Sequence, residues 1–308
     1  MGELINSVID LHVPGDFLTI QAACDEAANL NIGTHGLLRV IVANGSYAER
    51  NITPKVAKWM QFQIIGDVSG NGGVVLNVDA SDNGCGFMAV NGYGIGYLDG
   101  FSIIGNGGWN SHGSWNNDTY GSAVFANGSG SSILCGSLIT SDKLYYGFRS
   151  KFGSHLEASY CRATNAGDCG FHAYAATIIA YKSYAGFCAH TDGENLGFGF
   201  CAEAGGHVEC EYSDAEGCAI AGFYSLGNAS MWAHACESYR NYGHGFYALN
   251  GGYLEANGLA YLRHSNAFDN GGAGYKSVNG GIIQTSMSWA NRNAGGNYSA
   301  SNQGLLIP

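Results

Sequence analysis

The sequence predicts an all-β chain folded as a right-handed parallel β-helix, a solenoid built from 23-residue rungs. One observation is composition, because the 308 residues include 49 glycines and 3 prolines without the three-residue period of collagen. A second is a repeat in which glycine precedes an aromatic residue, at spacings of 23, 29, 23, 23 and 29 residues. The repeats begin at Gly147, Gly170, Gly199, Gly222, Gly245 and Gly274. Between them, short alternating runs of β-forming residues are separated by Gly/Asn turns, which is typical of strands.

Each repeat also has an aliphatic residue nine positions after its glycine. These residues are Leu156, Ile179, Val208, Met231, Leu254 and Ile283. We number positions from the repeat glycine, so the aromatic residue is position one. Because side chains alternate along a strand, we expect positions one, three, nine and eleven to point inward. Positions two, four, ten and twelve should then point outward. A propeller blade needs about 40 residues and a leucine-rich repeat needs a helix, so both fit less well. The pattern does not determine handedness.

The domain organisation follows from where the repeat begins and where it is interrupted. The 29-residue spacings indicate six-residue insertions, which we place at Ala185–Leu196 and Leu259–Gly271. We expect residues 105–121 to form a long loop between earlier, less regular rungs. Asp16–Leu30 has apolar residues at helical spacing and predicts an amphipathic helix that covers the open end of the solenoid. We therefore expect an N-terminal segment with this helix over residues 1–34, the β-helix over 35–296 and a C-terminal segment over 297–308.

Composition and charge exclude several classes of function. The 46% hydrophobic and 12% charged residues favour a folded chain over a disordered one. A net charge of −11 with scattered basic residues indicates no nucleic-acid partner. No apolar run is long enough for a membrane span and no secretory signal begins the chain, so we expect no membrane insertion. The ten cysteines do not have zinc-site spacing, which favours buried thiols. We expect no cofactor and assign no metal ligands, while Asp168, Asp192 and Asp269 near turns leave calcium binding as an open alternative.

The order of elements near the N-terminus resembles a known superfamily. After the predicted helix come Leu37–Ala43, the motif NGSYAE over 44–49, a strand ending in IIGD over 64–67 and Val74–Val78. This order is similar to the pectin lyase-like superfamily, which includes pectate lyases, pectin methylesterases and the central domains of phage tailspikes. The resemblance implies a right-handed parallel β-helix that acts on a polysaccharide. It also implies a homotrimer, since tailspike members are commonly trimeric.

Two enzyme families of that superfamily have motifs that this sequence does not reproduce. Pectate lyases need calcium-binding aspartates and an arginine flanked by prolines, and none of the three prolines of this chain stands beside an arginine. Asp214 and His244 are similar to residues of the ordered motifs of polygalacturonases. These two residues occupy different positions in their units, so they should lie on different sides of a rung. Neither activity is therefore our leading interpretation.

Outward positions ten and twelve supply the candidate catalytic site, which we call the glutamate face. In three consecutive units it consists of Glu209 and Glu211, Trp232 and His234, and Glu255 and Asn257. With rungs about 4.8 Å apart, the backbones of Glu209 and Glu255 are about 9.6 Å apart, and those of Glu209 and Glu211 about 6.6 Å. An inverting glycosidase holds its two carboxyl groups about 6.5 to 9.5 Å apart. We therefore predict that Glu209, Glu211 and Glu255 are catalytic.

The neighbouring residues of this face have predicted binding roles. Trp232 would stack on a sugar ring, while His234 and Asn257 would hydrogen-bond the substrate, with His234 as an alternative base. An ordinary solvated surface explains the same pattern, since outward charges on a rung are commonly just hydrated. Lys182 and Arg149 keep a lyase open as an alternative, because elimination needs a base and a group that neutralises the uronate.

The long loop over 105–121 adds two further candidates for glycan binding. It contains Trp109 and Trp115, in a chain with only five tryptophans. Long loops with aromatic residues on a rigid scaffold are common binding elements. A covering flap without a binding role is the other interpretation.

Positions two and four predict a contact with another subunit. From Gly222 onward these outward positions are apolar or aromatic, with Tyr224, Leu226, Tyr247 and Leu249 as the candidate contacts. Monomers rarely expose such a stripe, so we expect a second copy to cover it, in agreement with a homotrimer. Cover by the chain's own residues 297–308 is the competing explanation.

Two functions from different classes fit these observations. The first is a phage tailspike-type protein that binds and cleaves a bacterial surface polysaccharide, by hydrolysis or, as an alternative, by lyase chemistry. The second is a non-catalytic adhesin or virion structural module that only binds a glycan. The unpaired cysteines favour a virion tail protein assembled in the host cytoplasm, with an extracellular location as the alternative.

Overall fold

The structure is a computed structural model that describes residues 4–68, 73–79, 84–106, 121–188, 196–258 and 264–308. Its strands are short and pair in parallel to form three long sheets. The chain is a right-handed parallel β-helix with a helix near its N-terminus, so the predicted fold class is confirmed. Neighbouring strands in a sheet come from successive turns of the chain, so the two outward faces discussed below are built one rung at a time.

The strands of the three sheets are numbered in chain order. The first sheet contains β1 (Val8–Val13), β2 (Leu37–Val42), β4 (Phe62–Gly66), β7 (Gly94–Asp99), β10 (Ser132–Cys135), β13 (His155–Glu157), β16 (Thr177–Ile179), β19 (His207–Glu209), β22 (Ser230–Trp232), β25 (Tyr253–Glu255), β28 (Ile282–Gln284) and β31 (Leu305–Ile307). The second sheet contains β3 (Gly45–Ala48), β5 (Val74–Val78), β8 (Phe101–Gly105), β11 (Ile139–Asp142), β14 (Arg162–Thr164), β17 (Tyr184–Gly186), β20 (Asp214–Glu216), β23 (Glu237–Tyr239), β26 (Asn266–Phe268) and β29 (Trp289–Asn291). The third sheet contains β6 (Phe87–Val90), β9 (Ser122–Asn127), β12 (Tyr146–Lys151), β15 (Cys169–Tyr174), β18 (Phe198–Glu203), β21 (Ala221–Leu226), β24 (His244–Leu249), β27 (Tyr275–Val278) and β30 (Tyr298–Ser301).

The interior is a stack of equivalent side chains from successive rungs. Neighbouring aromatic rings of the repeat lie 4.7 to 5.0 Å apart between centroids, with planes within 9° of parallel. The stack consists of Phe148, Phe171, Phe200, Phe223, Phe246 and Tyr275. Its spacing matches the separation of strands in a sheet, so one aromatic ring per rung fills the core continuously.

One unit departs from the predicted alignment. In the unit beginning at Gly170 the turn after β15 is one residue shorter, because Leu156 pairs with Ile178 and not with Ile179. Ile178 is fully buried, while Ile179 points outward. Ile179 and Tyr181 therefore take the two outward positions that were predicted for Ala180 and Lys182. Lys182 instead lies in a turn with a left-handed φ of 50°.

The N-terminal helix α1 (Ile20–Asn29) packs on β1 and β2 at the start of the solenoid. Thr19 caps it by accepting a hydrogen bond from the N–H of Ala22 at 3.1 Å. The Glu49 carboxylate accepts from the N–H groups of Ile20 and Gln21 at 2.8 and 3.1 Å, which places a negative charge at the positive end of the helix. A short 3₁₀ helix spans Trp59–Gln61. In the described ranges, no helix has the length and apolar character needed to cross a membrane.

Both insertions interrupt the chain between rungs. The extra residues fall between β17 and β18 and between β25 and β26. The first predicted range therefore overlaps β17, and the second contains all of β26. Residues 189–195 and 259–263 lie outside the described residues. At the C-terminus, β30 and β31 pair with β27 and β28. Residues 297–308 thus extend two sheets and do not cover the stripe at Tyr224 and Tyr247.

Buried asparagines connect successive rungs at the corner between the second and third sheets. The Asn241 side-chain amide donates to Asn270 Oδ1 at 2.9 Å, and that of Asn270 donates to Asn293 Oδ1 at 2.8 Å. The same Oδ1 atoms of Asn270 and Asn293 accept the backbone N–H of Asn241 and Asn270 at 3.1 Å. The ladder therefore satisfies polar backbone groups that the turn leaves unpaired.

Candidate functional site

The structure brings the central residues of the glutamate face together. Glu209, Trp232 and Glu255 are direct neighbours on β19, β22 and β25. Trp232 is 41% exposed, so its indole ring is available on the surface. The edge of that ring meets His207, with ring centroids 4.9 Å apart. An exposed aromatic residue thus lies on the rung between the rungs of the two carboxylates.

Glu209 contacts a histidine that the sequence reasoning did not single out. His207 Nε2 lies 3.3 Å from Glu209 Oε1, and His207 Nδ1 lies 2.7 Å from Ser230 Oγ. His207 is two residues before Glu209 on β19, so both side chains point to the same face. The alternation that identified Glu209 also predicts His207 to be outward. His207 therefore orients the Glu209 carboxylate and belongs to the site.

Glu255 has a different set of neighbours. The Asn257 amide donates to Glu255 Oε1 at 3.0 Å, and His234 Nε2 lies 3.8 Å from the same oxygen. Asn257 Oδ1 in turn accepts the Ser286 N–H at 2.9 Å, which fixes the amide orientation. His234 Nδ1 is buried and has no hydrogen-bond partner in the part of the chain that the structure describes. The two carboxylates therefore have different hydrogen-bond partners, a histidine for Glu209 and an amide for Glu255.

Glu211 and Lys182 lie beside this arrangement in the turns that follow β19 and β16. The Glu211 carbonyl accepts the Lys182 N–H at 2.9 Å. The Lys182 ammonium lies 5.2 to 5.9 Å from the ring centroids of Tyr160, Tyr181 and Tyr212, which we call the tyrosine row. Adjacent rings in the row are 5.7 and 5.5 Å apart. The row extends an aromatic surface from the glutamate face along the solenoid.

The other predicted glycan-binding residues do not add to this geometry. Trp109 and Trp115 lie outside the described residues. Arg149 is only 4% exposed on the outward face of the third sheet. A residue so buried has no access to a polysaccharide in this conformation, so the lyase role predicted for Arg149 lacks structural support.

The predicted subunit stripe is less exposed than expected. Tyr224 is 6% exposed because it stacks on Phe198, with ring centroids 4.4 Å apart. Leu226, Tyr247 and Leu249 are half-buried and pack against the same apolar cluster. The premise of a freely exposed stripe is therefore wrong for Tyr224. Trimer formation stays a prediction.

A second polar group lies on the outward face of β12, β15 and β18, and we call it the histidine–cysteine cluster. It consists of Tyr146, Arg149, Asp168, His172, Cys201 and Glu203. The His172 ring stacks on Tyr146 with centroids 5.0 Å apart, and the Arg149 guanidinium lies 3.9 Å from the centre of the Tyr146 ring. His172 Nε2 lies 3.2 Å from Glu203 Oε2. The sequence reasoning did not combine these residues.

Burial determines the electrostatics of the histidine–cysteine cluster. Burial raises the pKa of Asp168, although the charge of His172 opposes the shift. Burial also pushes the pKa of Glu203 upward, but the hydrogen bond and charge of His172 outweigh it, so the net pKa is lowered. The pKa of Cys201 is raised to about 12, chiefly by burial. The isolated cluster therefore holds a protonated thiol beside an ionised carboxylate.

Several polar atoms of this cluster remain unsatisfied. Among the described residues, the buried atoms Nε and Nη1 of Arg149, Oδ1 of Asp168 and Nδ1 of His172 have no hydrogen-bond partner. Each such atom costs about 1 to 3 kcal/mol when it is removed from water without a partner. Groups of this kind in a folded protein call for an explanation, and an unfilled ligand site is one.

Comparison with known proteins assigns neither site a function. The chain matches no family model and no curated protein. Among solved structures it is similar to the A-module of mannuronan C-5 epimerase AlgE6 from Azotobacter vinelandii, with 14% sequence identity, a TM-score of 0.34 and 94% of each chain covered. A likeness at this level gives no activity and no residue role to this chain. The fold assignment rests on the strand pairing itself.

Proposed function

We propose that this protein is a tailspike-type polysaccharide-binding protein that hydrolyses a glycosidic bond on its glutamate face. The observation that supports the proposal most directly is the exposed Trp232 ring between Glu209 and Glu255 on consecutive rungs. Aromatic rings present a flat apolar surface with little conformational freedom, which suits a sugar ring. The tyrosine row would bind further sugar units along the solenoid.

The chemistry assigned to this face is acid and base catalysis by two carboxyl groups. Strands two rungs apart place Glu209 and Glu255 about 9.6 Å apart at the backbone. Side-chain rotation can bring their carboxyl groups within the roughly 6.5 to 9.5 Å of an inverting mechanism, which would leave room for a water molecule. One carboxylic acid would protonate the departing oxygen while the other carboxylate activates the water. His207 and Asn257 would hold the two carboxylates in place.

A binding-only adhesin is the second candidate. The hydrogen bonds of both glutamates to neighbouring side chains support it, because carboxylates can be held in this way to bind sugar hydroxyls without any reaction. Both candidates use the same surface and the same class of ligand. They differ in whether the polysaccharide becomes shorter.

The experiment that separates the candidates is digestion of a panel of bacterial capsular and O-antigen polysaccharides. Reducing-end release and chain length are measured together with the absorbance of unsaturated uronates. Shortening without new absorbance is the expected result and identifies hydrolysis. Shortening with new absorbance would overturn hydrolysis in favour of a lyase. Binding to a glycan that stays intact would leave the adhesin as the function.

A further inference from the structure

We propose that His172, Cys201 and Glu203 form a binding site for a divalent transition-metal ion, with Zn²⁺ as the best-matched ion. Zn²⁺ takes imidazole nitrogen, thiolate sulfur and carboxylate oxygen as ligands, whereas Ca²⁺ and Mg²⁺ take oxygen ligands. The proposal is independent of the hydrolysis proposed above, because the glutamate face lies on the first sheet and these residues on the third.

The three ligands come together through strand register. His172 on β15 pairs directly with Cys201 on β18, and Glu203 is two residues further along β18. All three side chains therefore point outward from the same face of the third sheet. One ligand atom from each lies within 4.8 Å of the other two. Zn²⁺ bonds of about 2.0 to 2.3 Å require ligand atoms about 3.3 to 3.8 Å apart, so no pair of ligand atoms needs to close by more than about 1.5 Å.

An independent observation is the unsatisfied polar atoms around this triad. His172 is 3% exposed, and its Nδ1 has no hydrogen-bond partner among the described residues. Asp168 Oδ1 is likewise buried without a partner there, and Asp168 lies near enough to His172 and Glu203 for their charges to act on it. Metal-bound histidines usually donate their second ring nitrogen to a carboxylate. Asp168 is the buried carboxylate of this cluster with an unsatisfied oxygen, and it would accept from His172 Nδ1 after a small side-chain rotation once an ion holds Nε2.

The charges at the site also fit a bound cation. Binding converts the Cys201 thiol to a thiolate, and its proton passes to the solvent. The thiolate and the Glu203 carboxylate then neutralise the two positive charges of the ion. Arg149 adds an opposing positive charge, although its guanidinium stacks on the Tyr146 ring. The Glu203 side chain is 26% exposed and gives the ion a way in from the surface.

The test begins with the unmodified chain after treatment with a chelator and removal of that chelator. Calorimetric titration with Zn²⁺ should show one equivalent bound, with an affinity that increases with pH because a proton is released. Titration with Co²⁺ in place of Zn²⁺ should produce a thiolate-to-cobalt charge-transfer band. Absence of one-equivalent binding, or a Co²⁺ complex without the thiolate band, would overturn the proposal without any variant.

Variants then locate the ligands. Cys201→Ser and Glu203→Gln should each weaken Zn²⁺ binding at least about tenfold, because each removes one ligand. Cys218→Ser is the matched control, since Cys218 is an equally buried thiol that contacts Cys188. Each variant is compared with the unmodified chain by thermal unfolding without metal, so that loss of the fold is separated from loss of a ligand. Wild-type affinity in Cys201→Ser, or equal weakening in Cys218→Ser, would show that the site is elsewhere.

Discussion

Two histidine–glutamate pairs of nearly the same length lie on the first and third sheets. His207 and Glu209 are 3.3 Å apart on the glutamate face, and His172 and Glu203 are 3.2 Å apart in the histidine–cysteine cluster. The histidine side chains are 24% and 4% exposed, respectively. Glu203 and Glu209 belong to the same turn of the solenoid. The same histidine–glutamate contact is therefore easily exchanged where water surrounds it and costly to break where it is buried.

At the glutamate face, water weakens the contact between His207 and Glu209, so both side chains can turn to a ligand. A solvated side-chain contact contributes at most about 1 kcal/mol, so His207 can orient Glu209 and still give way to a sugar hydroxyl at little cost. In the histidine–cysteine cluster the same exchange would leave a charge in a poorly hydrated place. The glutamate face is therefore suited to a large substrate that comes and goes, and the cluster to a small ligand that stays.

The largest expected effect is on cleavage by the glutamate face. Glu209→Gln and Glu255→Gln should each lower the rate of polysaccharide shortening by about 10²- to 10⁴-fold, because each removes a proton donor or acceptor. Binding of the uncleaved glycan should remain. Glu157→Gln is the matched control, since Glu157 lies in the same outward column of the first sheet, two rungs from Glu209. Equal loss in Glu157→Gln would mean that the column as a whole, and not this pair, matters.

The next effect compares the two pairs in stability. His172→Leu should lower the free energy of unfolding by about 1 to 3 kcal/mol, because it leaves Glu203 without its partner in a largely buried position. His207→Leu should lower it by less than about 1 kcal/mol, because water replaces the partner. Urea unfolding of both variants in a chelator-containing buffer makes the measurement. Equal losses would contradict the role given to hydration.

A smaller effect is expected on glycan affinity. Trp232→Ala should weaken glycan binding about tenfold, or about 1.4 kcal/mol, because the stacking surface is lost. Trp289→Ala serves as the control, since Trp289 is 66% exposed but lies on the second sheet. Dissociation constants are measured in the Glu255→Gln background so that cleavage does not interfere. An unchanged constant for Trp232→Ala would remove the indole from the binding surface.

The smallest effect concerns the other half of the third sheet. Burial, with the charge of Lys276, lowers the pKa of His244 to about 4. The unfolded chain, with a histidine pKa near 6.5, binds more protons between these values, so stability is complete above pH 6.5 and declines as the pH falls toward 4. Because His244 is partly solvated, we expect about 1 kcal/mol. Unfolding at several pH values should show this loss in the unmodified chain and in His35→Gln, an exposed control, but less of it in His244→Gln.

Much of the fold could be predicted because the interior of a β-helix needs a side chain of similar size at the same position of every rung. An aromatic residue such as Phe200 must match the size of the one above and the one below, so the requirement is visible as a period in the sequence. The alignment failed at Ile179, where a turn is one residue shorter. Turn length is marked only weakly in the sequence: the longer turns have Gly or Asn with a left-handed φ at position six, such as Gly153, where this unit has Ala176.

The two outward faces differed in what the sequence could reveal. Alternation predicted that Glu209 and Trp232 point outward, and the same argument applied to position eight would have included His207. It could not predict the histidine–cysteine cluster, because alternation gives the direction of a side chain and not whether that face is covered. The ligands His172 and Cys201 are also 29 residues apart in the chain, so no local spacing signals them.

The extra residues between β25 and β26 leave Glu255 paired with Trp232 on one side and Gln284 on the other. The extra length of this connection therefore leaves the register of Glu255 unchanged. Its entropic cost rises slowly, by about 0.6 kcal/mol for each doubling of loop length. Length changes at this junction are therefore expected to leave the stacking of Glu209, Trp232 and Glu255 intact, so the connection and the face can vary independently.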